Sequence, residues 1–256
     1  MKNLFRWILP AFLAATASAN TVYNLVAGFS DSSNPNGVWT YGMLTGLGGT
    51  FTTLPDTFSA LSGVNGWTNE ATVPLVEQNS SGSSITSGTD TYPVGWLEMS
   101  PDSSGDYAVV QFTVPTTGSY TIAGAFEGLD STGTTTDDHV WWTSGGTSTS
   151  LFDTGITAFF TNSPNVCPGS TGTTRLGACG FDAFSMTQNF TAGDTIDFTV
   201  GYGYNQNYFF DLTGLQGTVT LNSSSSTPEP GTWLLAGVGV VGMVVRKWRR
   251  SARRDS

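Results

Sequence analysis

The chain has 256 residues, 38% of them hydrophobic, and it carries 19 acidic side chains against nine basic ones, a formal net charge of −10. This balance excludes nucleic acid as a partner, because a phosphate backbone repels an acidic protein. Eight of the nine basic residues lie at the two ends, and only Arg175 lies between them. The two ends therefore have a different role from the acidic middle.

The first residues have the three parts of a secretory signal peptide. Lys2 and Arg6 form a positive start, residues 7–15 are mostly apolar, and Ala17-Ser18-Ala19 fits the small-residue rule for cleavage. The apolar run is too short to cross a bilayer, which takes roughly 20 residues. We predict a cleaved signal peptide over residues 1–19.

Residues 20–222 form an exported domain of short β-strands. Short apolar runs alternate with clusters of Gly, Pro, Asn and Ser, a pattern typical of strands and turns rather than helices. Residues 107–114 and 195–200 alternate with the side-chain period of a strand. A turn at residues 115–118 leads into a further strand, which predicts a hairpin over residues 106–127. The predicted fold class is all-β, a single antiparallel β-sandwich with jelly-roll-like topology.

Three stretches of this domain resemble secreted bacterial β-sandwich modules: Asn34–Gly42, Gly105–Gly128 and Ala192–Gly203. Those modules are similar in fold to carbohydrate-binding modules. The resemblance implies a jelly-roll sandwich and brings no ligand or catalytic residue with it.

The domain and the tether that follows it are strongly acidic. Residues 20–227 hold 17 Asp and Glu against Arg175 and no Lys, a formal charge of −16. Such a charge keeps a protein soluble outside the cell, and it also suits calcium, which prefers carboxylate, amide and carbonyl oxygens. We predict Asp130, Asp137 and Asp138 as calcium ligands. The alternative is that they are ordinary turn formers that bond their own backbone.

Aromatic side chains are the best indication of a binding surface. Sugar rings stack on Trp and Tyr while nearby amides bond their hydroxyls. Adjacent residues such as Trp141 and Trp142 point to opposite faces of a strand, whereas residues two apart share a face. The alternative for each aromatic residue is a place in the core. The predicted ligand-binding residues are Trp39, Tyr41, Trp96, Trp142, Tyr204, Asn205 and Asn207.

No catalytic residue is predicted. Glycoside hydrolysis needs two carboxyl groups about 5–9.5 Å apart, and no recognisable signature contains Glu70, Glu77, Glu98 or Glu127. His139 is the sole histidine, and no G-x-S-x-G nucleophile motif accompanies it. A polysaccharide hydrolase or lyase is therefore the alternative to a non-enzymatic binding protein. A protein-binding adhesin or matrix scaffold is a further alternative.

The two cysteines, Cys167 and Cys179, lie in a loop rich in Gly, Pro, Ser and Thr. Because exported domains fold in an oxidising compartment, we predict a disulfide between them. It would close a loop of about a dozen residues and stabilise the fold by about 3 kcal/mol. A metal site on the same pair would need further ligands, and His139 is the only histidine available.

The C-terminus has four parts in fixed order. A Ser-rich linker covers residues 223–227 and is followed by the tripeptide Pro228-Glu229-Pro230. Residues 231–245 are uncharged and mostly apolar, which predicts a short transmembrane helix. Residues 246–254 hold six Lys and Arg, a cluster that stays on the cytoplasmic side of a membrane.

This order of tripeptide, helix and basic tail over residues 228–256 resembles the PEP-CTERM sorting signal of Gram-negative bacteria. The resemblance implies export across the inner membrane, anchoring by the helix, and recognition of Pro228-Glu229-Pro230 by an exosortase. The protein would then reach the cell surface or the extracellular space. The alternative is a single-pass anchor that is never processed.

The PEP-CTERM signal is associated with bacteria that produce exopolysaccharide, so extracellular polysaccharide is the expected partner. Together these features predict an exported, surface-sorted, non-enzymatic protein of the envelope or extracellular matrix that binds polysaccharide, with calcium as the one candidate cofactor.

Overall fold

Antiparallel β-strands make up most of the described part of the chain. The computed structural model describes residues 19–69, 73–160 and 179–223, so nearly all of the predicted signal peptide, the sorting signal and Cys167 lie outside the described residues. The strands are β1 Thr21–Asn24, β2 Trp39–Leu44, β3 Phe51–Thr53, β4 Asp56–Leu61, β5 Val64–Thr68, β6 Leu75–Asn79, β7 Ile85–Ser87, β8 Asp90–Tyr92, β9 Leu97–Ser100, β10 Tyr107–Thr113, β11 Gly118–Gly128, β12 Thr136–Ser144, β13 Thr147–Ile156, β14 Phe181–Phe190, β15 Thr195–Gly201 and β16 Thr213–Leu221.

Two sheets pack face to face. The eight-stranded sheet has the order β14-β11-β16-β9-β6-β5-β4, with β1 paired to β16, and the six-stranded sheet has the order β13-β12-β15-β10-β2-β3. Strands β7 and β8 form a separate hairpin. From β9 to β12, and again from β13 to β16, each successive strand changes sheet, which is a jelly-roll-like path. The predicted all-β antiparallel sandwich is confirmed.

The main core lies between the sheets and follows the predicted strand alternation. Phe112 from the six-stranded sheet and Tyr120 from the eight-stranded sheet meet in it, with ring centroids 6.3 Å apart and nearly edge-to-face rings. Fully burying a large apolar side chain contributes about 1.5–3 kcal/mol. Other buried members of this core include Val110, Phe198, Val200, Ile122, Phe126, Leu215 and Val219.

The predicted hairpin over residues 106–127 is wrong. Strand β10 pairs with β2 and β15, whereas β11 pairs with β14 and β16, so the two strands belong to different sheets. The turn at residues 115–118 carries the chain across the sandwich, and the Tyr120 hydroxyl donates to the backbone oxygen of Thr116 at 2.7 Å. A hairpin within one sheet and a crossing between two sheets bury the same alternate side chains, so the alternation alone does not distinguish them.

A second apolar cluster covers part of the outer face of the eight-stranded sheet. Its buried members are Val64, Leu75, Tyr92, Leu129 and Leu212. The hairpin of β7 and β8 packs there, and the N–H of Thr91 donates to the backbone oxygen of Leu129 at 2.9 Å. This cluster shelters a region that would otherwise face solvent, and the candidate site lies beside it.

The first and last strands of the sandwich are neighbours. In the pairing of β1 with β16, Thr21 lies opposite Leu221 and Asn24 lies opposite Thr218. The described residues contain no helix of the length and hydropathy that a bilayer span requires. The helix predicted at residues 231–245 falls outside the described residues.

Candidate functional site

Three glutamates form a lateral row on the outer face of the eight-stranded sheet. Glu77 of β6 lies directly opposite Glu98 of β9, Glu98 lies opposite Gly214 of β16, and Gly214 lies opposite Glu127 of β11. Their neighbours along each strand face the core between the sheets, so strand alternation turns the glutamates outward. All three are nevertheless buried, with 1%, 0% and 7% of the residue exposed.

Glycines make room for this row. Gly66 of β5 lies opposite Glu77, and a Cβ at Gly66 would collide with the backbone of β6. A Cβ at Gly214 would lie 3.0 Å from Cγ of Glu127 and 3.2 Å from Cε3 of Trp96. The indole of Trp96 therefore covers the middle of the row, where Gly214 leaves space for it.

Burial favours the protonated form of each of these glutamates. It raises the pKa of Glu77 to about 8, and the charge of Asp90 adds to the effect. Burial and then the charge of Glu77 raise the pKa of Glu98 well above its usual range, against the opposing effect of the backbone amides of Asn79 and Glu98. Burial also raises the pKa of Glu127 to about 7. Protonation removes the charge that a low-dielectric environment penalises.

A second pair of carboxyl groups, Asp90 and Asp130, lies beside Glu77. The two aspartates face each other in an isolated antiparallel bridge. Asp130 accepts hydrogen bonds from the Thr89 hydroxyl at 2.8 Å and from the Thr132 N–H at 2.6 Å. Burial, a hydrogen bond to Asp130 and the charge of Asp130 raise the pKa of Asp90 to about 7. Asp90 therefore holds its proton up to near neutral pH.

These acids open into a cleft of about 310 Å³, the acidic–aromatic cleft. Phe209 and Phe210 at its rim are 57% and 49% exposed, and Phe210 has a φ of 69°, which bulky residues rarely adopt. Backbone in such a conformation is concentrated at functional sites. The lining residues include the acids Glu77, Asp90, Asp130 and Asp211 and the aromatic residues Phe58, Tyr92, Tyr208, Phe209 and Phe210.

Side-chain amides hold the loop that carries the aromatic rim. Asn205 donates from Nδ2 to the Thr135 hydroxyl at 2.6 Å and accepts from the N–H of Asn207 at 3.1 Å. Asn207 in turn accepts from the N–H of Phe209 at 3.1 Å. Asp211 accepts from both the N–H and the hydroxyl of Thr135 at 2.9 Å. Asn205 and Asn207, predicted as ligand-binding residues, thus bond within the loop that carries the aromatic rim, and their contact with a ligand stays a prediction.

The other aromatic residues predicted to bind ligand occupy different environments. Trp39 and Tyr41 are buried in the core between the sheets, which is the alternative that the sequence left open for them. Trp142 packs against the same core, and its indole N–H donates to Asp194 at 3.0 Å. Tyr204 is exposed on the loop that also carries the aromatic rim.

The three aspartates predicted as calcium ligands are not brought together. Asp130 belongs to the cleft, while Asp137 and Asp138 are adjacent on β12 and point to opposite faces of the six-stranded sheet. Asp138 is buried and accepts from the Thr136 hydroxyl at 3.0 Å and from the Ile156 N–H at 3.3 Å. Within the described ranges, no group of three or more His, Cys, Asp or Glu side chains could hold a metal ion. Calcium stays a prediction from the sequence.

His139 belongs to a buried ion-pair network. Its Nε2 lies 3.2 Å from Asp137 and its Nδ1 lies 3.2 Å from Asp153. Burial alone would lower the pKa of His139, but the hydrogen bonds and charges of the two aspartates raise it to about 9. The Tyr107 hydroxyl also donates to Asp137 at 2.5 Å. His139 is therefore cationic at neutral pH, which does not suit a general base.

Two other concave surfaces lack the combination found in the cleft. A pocket of about 270 Å³ on the outer face of the six-stranded sheet contains Trp141, Phe51 and a Gln111–Asp197 hydrogen bond of 2.8 Å. Burial raises the pKa of Asp197 to about 6, although the bond from Gln111 opposes it. A groove of about 650 Å³ on the eight-stranded sheet is lined mainly by small and polar residues. Neither surface has exposed rings beside several buried acids.

Cys179 lies next to β14 and is buried. Its N–H donates to the Thr157 hydroxyl at 2.5 Å. The predicted partner, Cys167, lies outside the described residues, so the disulfide stays a prediction.

The C-terminus matches a known sorting family. The family described as the PEP-CTERM protein-sorting motif matches residues 226–250. The chain carries a PEP-CTERM sorting motif after a β-sandwich domain in the sequence. The match includes the predicted tripeptide Pro228-Glu229-Pro230, the apolar residues 231–245 and the first basic residues after them. A PEP-CTERM motif implies export and surface sorting by a membrane-anchored C-terminal signal.

Solved structures similar to this PEP-CTERM protein share little sequence with it. They include isomalto-dextranase from Arthrobacter globiformis T6 complexed with panose, at 13% identity and a TM-score of 0.26, covering 72% of this chain and 23% of that one. The K3 cleaved adhesin domain of Lys-gingipain from Porphyromonas gingivalis w83 matches at 14% identity and a TM-score of 0.27, covering 50% and 74%. A carbohydrate-binding module from Cellvibrio mixtus lichenase 5A, in complex with cellotriose, matches at 15% identity and a TM-score of 0.24, covering 66% and 98%. A comparison with curated protein sequences finds no match.

Proposed function

We propose that this surface-sorted protein binds extracellular polysaccharide in the acidic–aromatic cleft. The observation that carries the proposal is the pairing of two exposed rings, Phe209 and Phe210, with carboxyl groups recessed behind them. A cleft of about 310 Å³ lies within the size range of small-ligand sites. Phosphate-bearing polymers are disfavoured by the acidic ectodomain.

The two kinds of side chain have complementary roles in this proposal. The C–H faces of a sugar ring stack on the aromatic rim, where they bury apolar surface. A protonated carboxyl group both donates and accepts hydrogen bonds, so Glu77 and Asp90 suit hydroxyl groups that do the same. The hydrogen bonds among Asn205, Asn207 and Thr135 fix the rim loop beforehand, which lowers the entropic cost of binding.

The experiment is retention of the ectodomain, residues 20–223, on extracellular polysaccharide from the producing organism. We expect the double variant F209A/F210A to bind about tenfold more weakly, because it removes both exposed rings. The control is Val22→Ala, which shortens a 58% exposed apolar side chain on β1, outside the cleft lining. Equal retention of F209A/F210A and of the control would show that the cleft is not the binding site. A parallel column with chelator tests calcium, including any contribution from Asp130.

A hydrolase is the second candidate, because the cleft contains a carboxyl group with a raised pKa, Glu77, close to the Asp90–Asp130 pair. A buried acid beside a second carboxyl is the arrangement that glycosidases use. Binding is preferred because the exposed rings of Phe209 and Phe210 offer stacking surfaces beside the acids. Incubation with the polysaccharide distinguishes the two: new reducing ends that disappear in Glu77→Gln would establish hydrolysis, and unchanged chain length would support binding alone.

A further inference from the structure

The described part of the molecule is almost without positive charge. Residues 19–69, 73–160 and 179–223 contain no Lys or Arg, and His139 is the one side chain there that can be cationic. Both of its ring nitrogens already face aspartates on the six-stranded sheet. Within the described ranges, Glu77 and Asp90 of the cleft therefore have no cationic partner.

Glu77 is the clearest example of an acid without a cationic partner among the described residues. It is 1% exposed, it lines the cleft, and its Oε2 makes no hydrogen bond to any described residue. Directly opposite, both carboxyl oxygens of Glu98 also lack a hydrogen bond of normal geometry within the described ranges. A buried polar atom without a partner costs about 1–3 kcal/mol. Such groups are expected where a proton or a ligand completes the site.

The arrangement favours an organic cation over a metal ion. Calcium requires six to eight oxygen ligands around one point, and no three acidic side chains of the described residues are placed to hold a metal. An ammonium group needs only one or two carboxylates, and aromatic faces within about 6 Å add a cation–π attraction. Tyr92, Tyr208 and Phe209 line the same cleft as Glu77 and Asp90.

We propose that the cleft recognises the ammonium groups of an amine-bearing polysaccharide, with Glu77 and Asp90 as acceptors and the rim aromatics around the cation. This inference rests on the proposed polysaccharide-binding function and narrows its ligand class. The formal charge of −16 over residues 20–227 draws a polycationic chain toward the protein and repels a polyanionic one. Entry of the ammonium group releases the protons that Glu77 and Asp90 hold in the free protein.

The test uses the full chain in detergent and two probes of equal length, a glucosamine oligomer and its N-acetylated counterpart. We expect the free-amine oligomer to bind at least about tenfold more tightly, because acetylation removes the charge. Glu77→Gln should abolish this preference. The control is Asp31→Asn, which makes the same carboxyl-to-amide change at an exposed acid outside the cleft lining and should keep the preference.

A second readout separates binding from folding. Calorimetry in two buffers of different ionisation enthalpy should show proton release with the amine oligomer and none with the acetylated one. If Glu77→Gln fails to fold, Asp90→Asn provides the same comparison. Equal binding of both oligomers would overturn the amine proposal but leave polysaccharide binding in place. Binding of neither oligomer would also overturn it, and retention on the organism's own polysaccharide then decides whether the proposed function survives.

Discussion

Glu77 and Glu98 lie directly opposite each other on neighbouring antiparallel strands, and both are buried on the outer face of the same sheet. Two like charges in a cross-strand pair repel, and burial adds the cost of desolvation to each. The pair is therefore stable only while protons neutralise it or a cation approaches it. This relationship connects the ligand proposal to the stability of the fold.

The first prediction is that the ectodomain loses stability as pH rises from about 4.5 to about 8. In the unfolded chain Glu77 loses its proton near 4.5, whereas in the folded state it keeps the proton up to about 8. The stabilisation is complete below the lower value and is lost as pH rises through the higher one, at up to about 1.4 kcal/mol per pH unit for one group. Thermal unfolding across this range measures it.

Several other groups act in the same direction over parts of that range. The pKa values of Asp90 and Glu127 are raised to about 7, and that of His139 is raised to about 9. Glu77→Gln should flatten the pH dependence, because an amide does not titrate. A melting temperature that stays constant or rises between pH 5 and pH 8 would contradict a buried protonated row.

The second prediction concerns the space beside the glutamate row. Gly66→Ala should destabilise the ectodomain by about 2 kcal/mol, because the new Cβ meets the backbone of β6, which cannot move aside as a side chain can. The control is Gly118→Ala, where the nearest atom is Cδ1 of Leu221, the flexible end of a side chain. Chemical denaturation should show a clear loss for the first variant and a smaller one for the second. Equal losses would mean that the row is not tightly packed.

The third prediction concerns sorting. Glu229→Gln should leave an uncleaved, membrane-retained protein in the producing cells, because the PEP-CTERM resemblance places exosortase recognition at Pro228-Glu229-Pro230. Fractionation and gel mobility measure this. Asp255→Asn, which makes the same charge change in the basic tail, should be processed normally. Wild-type mobility and fractionation of Glu229→Gln would show that the tripeptide is not used.

The fourth prediction concerns the two cysteines. The purified ectodomain should migrate faster without reductant than with it, because a disulfide between Cys167 and Cys179 keeps the denatured chain more compact. Cys167→Ser should remove the shift and lower stability by about 3 kcal/mol. Two titratable thiols in the protein without reductant would show that the disulfide is absent.

The sequence predicted where the strands lie better than it predicted which strands pair with each other. The alternation in Tyr107–Val114 and Thr195–Val200 was confirmed, because side-chain period is a local property of a strand. The prediction of a hairpin over residues 106–127 was wrong, because the sequence of a turn is the same whether the turn joins two strands of one sheet or carries the chain from one sheet to the other. Phe112 and Tyr120 are close in sequence and meet in the core from opposite sheets.

The cleft was harder to predict because its parts come from separate segments. Glu77 and Asp90 lie on strands whose proximity depends on the β7–β8 hairpin folding back over the sheet. A usable signal was present: the runs around Glu77 and Glu98, LVEQN and LEMS, each place an acid directly beside apolar residues of a short strand. No such signal pointed to Phe209 and Phe210, since their exposure depends on the amide contacts that hold their loop.

The pairing of β1 with β16 also bears on where the chain ends lie relative to the cleft within the sandwich domain. Strand β16 begins just after Leu212, in the wall of the cleft, and ends nine residues later at Leu221, opposite Thr21. At about 3.4 Å per residue, roughly 27 Å of strand lie between the cleft and the point where the chain leaves the sheet. Because Thr21 lies opposite Leu221, we expect processing at the predicted signal peptide and at the predicted sorting signal to leave the cleft lining intact.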